Sequence, residues 1–201
     1  MLAAHLAPGY FAAVKSQSQW KPEWNREQRA VLWIVALGST IAPDLDVVYN
    51  ALFRGFFNHS TLWTHSIFVY LVICLGWWLL GRSKRWPYFH TLAGLVVAGG
   101  LSHLFLDVVS HGTPLFYPLS LHMVGAPPLR VLQGGVLGYI THPIFLAEPV
   151  LLALPVAHWI IRRGLSPRVT KLALLGLASG VIVFSAVFLS LLPVLQSIVV
   201  I

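Results

Sequence analysis

Residues 89–110 read FHTLAGLVVAGGLSHLFLDVVS, and the nature of the chain turns on that stretch. It carries no Lys or Arg and is long enough to cross a hydrocarbon core, which takes about 20 helical residues. Near its end stand His103 and Asp107, four positions apart, so at 3.6 residues per turn they share a helix face. A helix satisfies its own backbone groups in lipid. An ionisable side chain on it still costs a few kcal/mol, so such residues mark function by default.

The rest of the chain has the same character. Of 201 residues 57% are hydrophobic and 9% are charged, with a mean hydropathy of +0.78; a soluble domain carries about 25% charged residues. Five spanning segments are expected, at about 30–50, 65–81, 89–110, 143–161 and 172–200, after a short N-terminal helix at 1–14. The fold class is therefore all-α and polytopic. Residues 1–201 form a single integral membrane domain, with a core at 1–150 and a C-terminal helical hairpin at 143–201. Pro193 is expected to kink or end the last span. There is no internal repeat, and the N-terminus lacks the basic start of a cleaved signal peptide. A lone Cys74 excludes an intramolecular disulfide.

The formal charge of +7 does not point to nucleic acid, because the basic residues sit in short links between apolar runs. One link holds Lys15, Lys21, Arg26 and Arg29, a second Arg82, Lys84 and Arg85, a third Arg162, Arg163, Arg168 and Lys171. The intervening loops at 51–64 and 111–142 hold only Arg54 and Arg130. The positive-inside rule puts the three basic links in the cytoplasm, and Trp20, Trp24, Trp77, Trp78, Trp86 and Trp159 gather near that boundary.

With the orientation set by Lys and Arg alone, the acids and histidines converge on the opposite, outer side. Asp44 and Asp46 end the first span and His65 opens the second. His103, Asp107 and His111 line the end of the third, and His142 and Glu148 begin the fourth. His90 and His158 fall at the cytoplasmic boundary, and His59 and His122 in loops. Imidazole and carboxylate groups brought together suit a Zn or Mn ion. In PDLD (Pro43–Asp46), residues two apart on a regular helix point about 200° from each other. Pro43 disfavours helix at Ala42, so either the span breaks there, or one Asp is a ligand and the other a cap for a new turn.

These residues resemble the YdjM-type family of membrane-bound proteins, described as metal-dependent hydrolases. The likeness rests on an early His (His5), PDxD (Pro43, Asp44, Asp46), His65 in THS, and SHLxLD (Ser102, His103, Leu104, Leu106, Asp107). A Gly-x-Pro stretch (Gly112, Pro114), YPLS (Tyr117–Ser120) and an acid–Pro pair complete it. That pair is Glu148–Pro149 where Asp-Pro is expected, and Asn58–His59–Ser60 stands near where HR or HRG often precedes THS. The order of motifs is also similar to that of zinc-dependent bacterial phospholipase C, an analogy only.

The resemblance implies a divalent metal, Zn or alternatively Mn, held by His5, Asp44, Asp46, His65, His103 and Asp107. Asp46 or Glu148 would take a proton from water. A site at headgroup depth in the inner membrane, towards its outer face, suggests a lipid or lipid-linked phosphoester reached from the bilayer. The rival readings are a divalent-cation or proton-coupled transporter and a non-catalytic scaffold. A transporter calls for polar groups in both halves of the membrane and often for an inverted repeat; the cytoplasmic halves here are apolar.

Overall fold

The structure, a computed structural model, describes residues 3–55, 63–82, 85–110, 112–125, 138 and 140–199. His59, Lys84, His111 and Arg130, all weighed above, lie outside the described residues. Seven helices are described: α1 Leu6–Ser16, α2 Arg26–Ser39, α3 Leu45–Phe53, α4 Ile67–Arg82, α5 Pro87–Ser110, α6 Ala147–Arg162 and α7 Pro167–Val199. No strand occurs among the described residues, only an isolated bridge between Thr113 and Val124.

Five spans were expected; among the described residues length and composition support three, Pro87–Ser110, Pro143–Arg162 and Pro167–Ser197, or four with a bent pair. That pair is Arg26–Ser39 with Ala42–Phe53, bent by 59°, so the segment expected to span at 30–50 is interrupted at Pro43, as one of the two readings of PDLD anticipated, and has the form of a broken span or a re-entrant loop. The expected span at 65–81 is a 16-residue apolar helix, Ile67–Arg82, below the length needed to cross an average core unaided. Pro193 does not end α7, which runs on to Val199.

The chain divides into two compact units, Met1–Ala7 with Arg130–Ile201, and Pro8–Leu129. In the second, α5 packs between α2 and α4. Lipid tails are as apolar as leucine, so helices associate in a bilayer largely through close packing, which favours small residues. Gly99 lies directly against Ser39 of α2 and Gly100 against the Tyr70 ring of α4, with no room for a Cβ at either. Both precede His103 by about one turn, so the helix bearing it is gripped from two sides. Towards the other end, Trp24, Leu32, Ala36 and Leu95 form a buried cluster with Ala13. The start of α2 is fixed by a capping box: Asn25 Oδ1 accepts from Gln28 N at 2.8 Å, and Gln28 Oε1 accepts from Asn25 N at 3.0 Å.

In the first unit α6 packs along α7, and Phe145, Phe184 and Phe188 stack between them. Glu148, on the first turn of α6, is buried, and its Oε2 accepts from the backbone N–H groups of Ala3 at 2.9 Å and Ala4 at 2.5 Å. These amides precede α1 and have no partner within it. His5 is buried beside them in sequence. His142 caps the turn Pro143–Leu146, its Nδ1 accepting from Ile144 N at 3.1 Å.

Candidate metal centre

Three segments of the second unit bring side chains to one place. The first is the break between α2 and α3. Pro43 has no N–H to give Ser39, and Asp44 N–H turns to Ile41 O at 3.1 Å. The chain therefore passes through the short turn Ala42–Asp44 before α3 begins at Leu45. Neither the break-only nor the cap reading of PDLD is complete. The span breaks, and Asp44, in the N-cap position of α3, makes no side-chain cap bond.

The second segment is the turn Trp63–His65. Ser66 accepts from Phe68 N at 3.2 Å, capping α4, and donates to Tyr117 O at 2.6 Å. Tyr70 OH donates to Thr64 O at 3.1 Å. The turn carrying His65 is thus held from the helix below and from the segment beyond α5. The third is the end of α5, where Gly112, at φ +80°, donates its N–H to Asp107 O at 2.7 Å and closes the helix.

The result is a compact set. One donor atom from each of Asp44, His65, His103 and Asp107 lies within 4.8 Å of all the others. His103 Nε2 is 3.0 Å from Asp107 Oδ2 and 3.4 Å from Asp44 Oδ1. His65 Nε2 is 3.5 Å from Asp107 Oδ2 and 3.8 Å from Asp44 Oδ1. Ligands about 2.0–2.2 Å from a tetrahedral ion stand roughly 3.3–3.6 Å apart, so these separations match an ion-sized centre. Charge agrees with distance: two carboxylates with two neutral imidazoles carry −2, which one divalent cation cancels. His65, His103 and Asp107 are buried, and the Asp44 side chain is 13% exposed.

Asp46 lies one step outside the set. Its Oδ2 is 3.6 Å from His65 Nδ1, the ring nitrogen turned away from the centre. His5 and Glu148 belong to the other unit. The basic residues sit at the opposite end of the same helices: Arg26 and Arg29 open α2, Arg82 closes α4 and Arg85 precedes α5. His90 stacks on Trp77, centroids 5.5 Å apart, at that basic end. A contact that sequence reasoning missed is made by a main-chain group: Thr40 O lies 2.7 Å from His103 Nδ1.

Helices long and apolar enough for a bilayer, and a His–Asp cluster of four groups able to hold a metal ion at the end of one of them, define a polytopic membrane protein with a candidate metal centre. The chain belongs to the YdjM inner membrane protein family, whose model matches residues 1–194. No curated protein and no solved structure matches the chain.

Proposed function

We propose that this protein is a membrane-embedded, metal-dependent hydrolase of lipid or lipid-linked phosphoesters. The reading rests on one observation: the donor atoms of Asp44, His65, His103 and Asp107 fall within 4.8 Å of one another. Two imidazole nitrogens and two carboxylate oxygens suit zinc, with manganese the alternative. A divalent ion so held would supply Lewis acidity, polarising an ester oxygen and lowering the pKa of water towards about 7.

The residues around the set divide the remaining work. Asp44 has the most exposed side chain of the four, and its second oxygen is the group we place to receive a proton from water. Glu148, expected in that role from sequence, has Oε2 engaged by two backbone amides. Its part is to hold the chain ahead of α1, while His5 is left without a proposed role at the ion.

Substrate class follows from what flanks the opening. Asp44 is followed by a helix whose outer face is apolar: Leu45, Val48, Leu52 and Phe53 are each more than half exposed. Trp63, just before His65, is exposed as well. A substrate with an acyl or polyprenyl tail can lie along that face with its phosphoester at the ion. The positive-inside rule, read on the basic helix ends, supports a site towards the outer face of the inner membrane.

The test is elemental analysis of detergent-purified protein beside His103→Ala and Asp107→Ala, followed by a screen of lipid phosphoesters. Near-stoichiometric zinc or manganese in the wild type, at least 100-fold weaker binding in both folded variants, and metal-dependent turnover are expected. Wild-type protein that holds no metal even after resupply sinks the hydrolase reading in favour of a scaffold. Stoichiometric metal with no turnover of any lipid ester points instead to transport.

A further inference from the structure

The break between α2 and α3 does more than deliver Asp44. In an uninterrupted helix the Thr40 carbonyl would accept the Asp44 N–H. Here that N–H bonds Ile41 O, and the Thr40 carbonyl accepts from His103 Nδ1 at 2.7 Å. A carbonyl can only accept, so Nδ1 carries a hydrogen, and Nε2 is the nitrogen 3.0 Å from Asp107 and 3.4 Å from Asp44. His65 repeats the arrangement. Its Nε2 faces the centre, and its Nδ1 lies 3.2 Å from the neighbouring Thr64 hydroxyl and 3.6 Å from Asp46 Oδ2, just beyond hydrogen-bond length, where the carboxylate charge favours a hydrogen on that nitrogen.

We infer that Asp46 is a positioning residue, and that with the Thr40 carbonyl it holds both imidazoles with hydrogen on Nδ1 and Nε2 turned to the ion. This deepens the metal-centre reading and rests on it. Seven consecutive residues, Thr40 to Asp46, then supply one ligand and the outer partner of each histidine. The spacing explains why PDxD carries two acids on opposite sides of the chain: Asp44 meets the ion, and Asp46 meets the back of the ring that also meets it. Metal-bound histidines usually donate their second N–H to a carboxylate or a carbonyl, and losing such a partner typically weakens metal binding 10–100-fold. Asp46 is 2% exposed. The next residue on its helix face, Asn50, is fully buried, so the carboxylate is enclosed rather than open to a substrate.

The experiment compares zinc affinity, by competition with a chromophoric chelator, in wild type, Asp46→Asn, Asp46→Ala and Thr64→Val, each checked for folding by size exclusion and thermal unfolding. Asp46→Ala should bind 10–100-fold more weakly. Asp46→Asn keeps an oxygen facing Nδ1 and should stay closer to wild type than Asp46→Ala; a direct carboxylate ligand would lose binding in both. Thr64→Val, which removes the nearer but uncharged contact, should weaken binding less than Asp46→Ala; a larger loss than in Asp46→Ala would assign the positioning role to Thr64 and overturn the inference. In wild-type protein with 15N-labelled histidine, zinc should move the Nε2 resonances of His65 and His103 and leave both Nδ1 protonated. Equal and complete loss in Asp46→Asn and Asp46→Ala, unchanged affinity in Asp46→Ala, or an Nδ1 that becomes the coordinated nitrogen overturns the inference while the metal centre stands. Wild-type protein without zinc removes the centre itself, and is read before any variant.

Discussion

Helices α5 and α7 suit a bilayer comparably by composition, with mean hydropathies of 1.9 and 2.5 over their best windows. Yet 39% of the α5 window is buried within the protein and only 6% of the α7 window. Hydropathy reports the solvent a helix tolerates; it does not report its neighbours. The glycines show the difference most directly. Gly94, Gly99 and Gly100 of α5 are pressed by Trp77, Ser39 and Tyr70, whereas a Cβ at Gly176 or Gly180 of α7 would meet nothing within 4 Å. The same residue is a packing requirement on one helix and an incidental choice on the other. His103, Asp107 and Ser110 are buried on α5, where neighbouring helices supply their partners.

Equivalent substitutions in the two helices can break that contrast. The largest effect is expected for Gly100→Ala. Its methyl group would enter the Tyr70 ring, and overpacking of this kind costs about 1–3 kcal/mol. A clearly lower thermal midpoint and metal affinity reduced at least tenfold should follow; normal values for both would show that α4 and α5 are not held as described. Next comes Glu148→Ala, which strips the acceptor from the Ala3 and Ala4 amides. An unsatisfied buried donor costs about 1–3 kcal/mol, so hydrogen exchange at those two amides should accelerate at least tenfold. Unaltered protection there would dismiss the anchoring role. The smallest effect belongs to Gly176→Ala, where a helix gains up to about 1 kcal/mol of propensity and metal affinity should not change. A loss of affinity comparable to that of Gly100→Ala would erase the distinction between the two helices.

The fold class was legible because apolar length is a local property, and so, within the second unit, was the convergence of Asp44, His65, His103 and Asp107 at the helix ends opposite the basic residues; His142 and Glu148, expected on the same side, belong to the other unit. The number of spans was not legible. Residues 26–53 hold enough apolar residues for one crossing, but Pro43 withholds a donor and the chain bends by 59°. The helix at 67–82 is too short for hydropathy to say what it crosses. Within the site, HxxxD declared itself through helical spacing, and PDLD announced a departure from it. What spacing could not show was which nitrogen of each histidine each acid would meet, because that depends on how α3 and α5 approach the turn at His65. Glu148 was read as a possible proton acceptor since an acid in an apolar run demands a partner. Its actual partners are amides 144 and 145 positions away, and main-chain donors leave no trace in a sequence. The Thr40 carbonyl was invisible for the same reason.

The four donors come from three stretches that meet only after α2, α4 and α5 have come together. An ion held by all four would therefore bind the assembled bundle and not its separate parts. Binding to the folded form alone adds about 2.7 kcal/mol of stability when the ligand stands at 100 times its dissociation constant. In a bilayer, where apolar contact between helices is weakly rewarded, such a gain is large. The ion would act as the last fastener of the helix bundle, so chelation should loosen the protein even when no substrate is present.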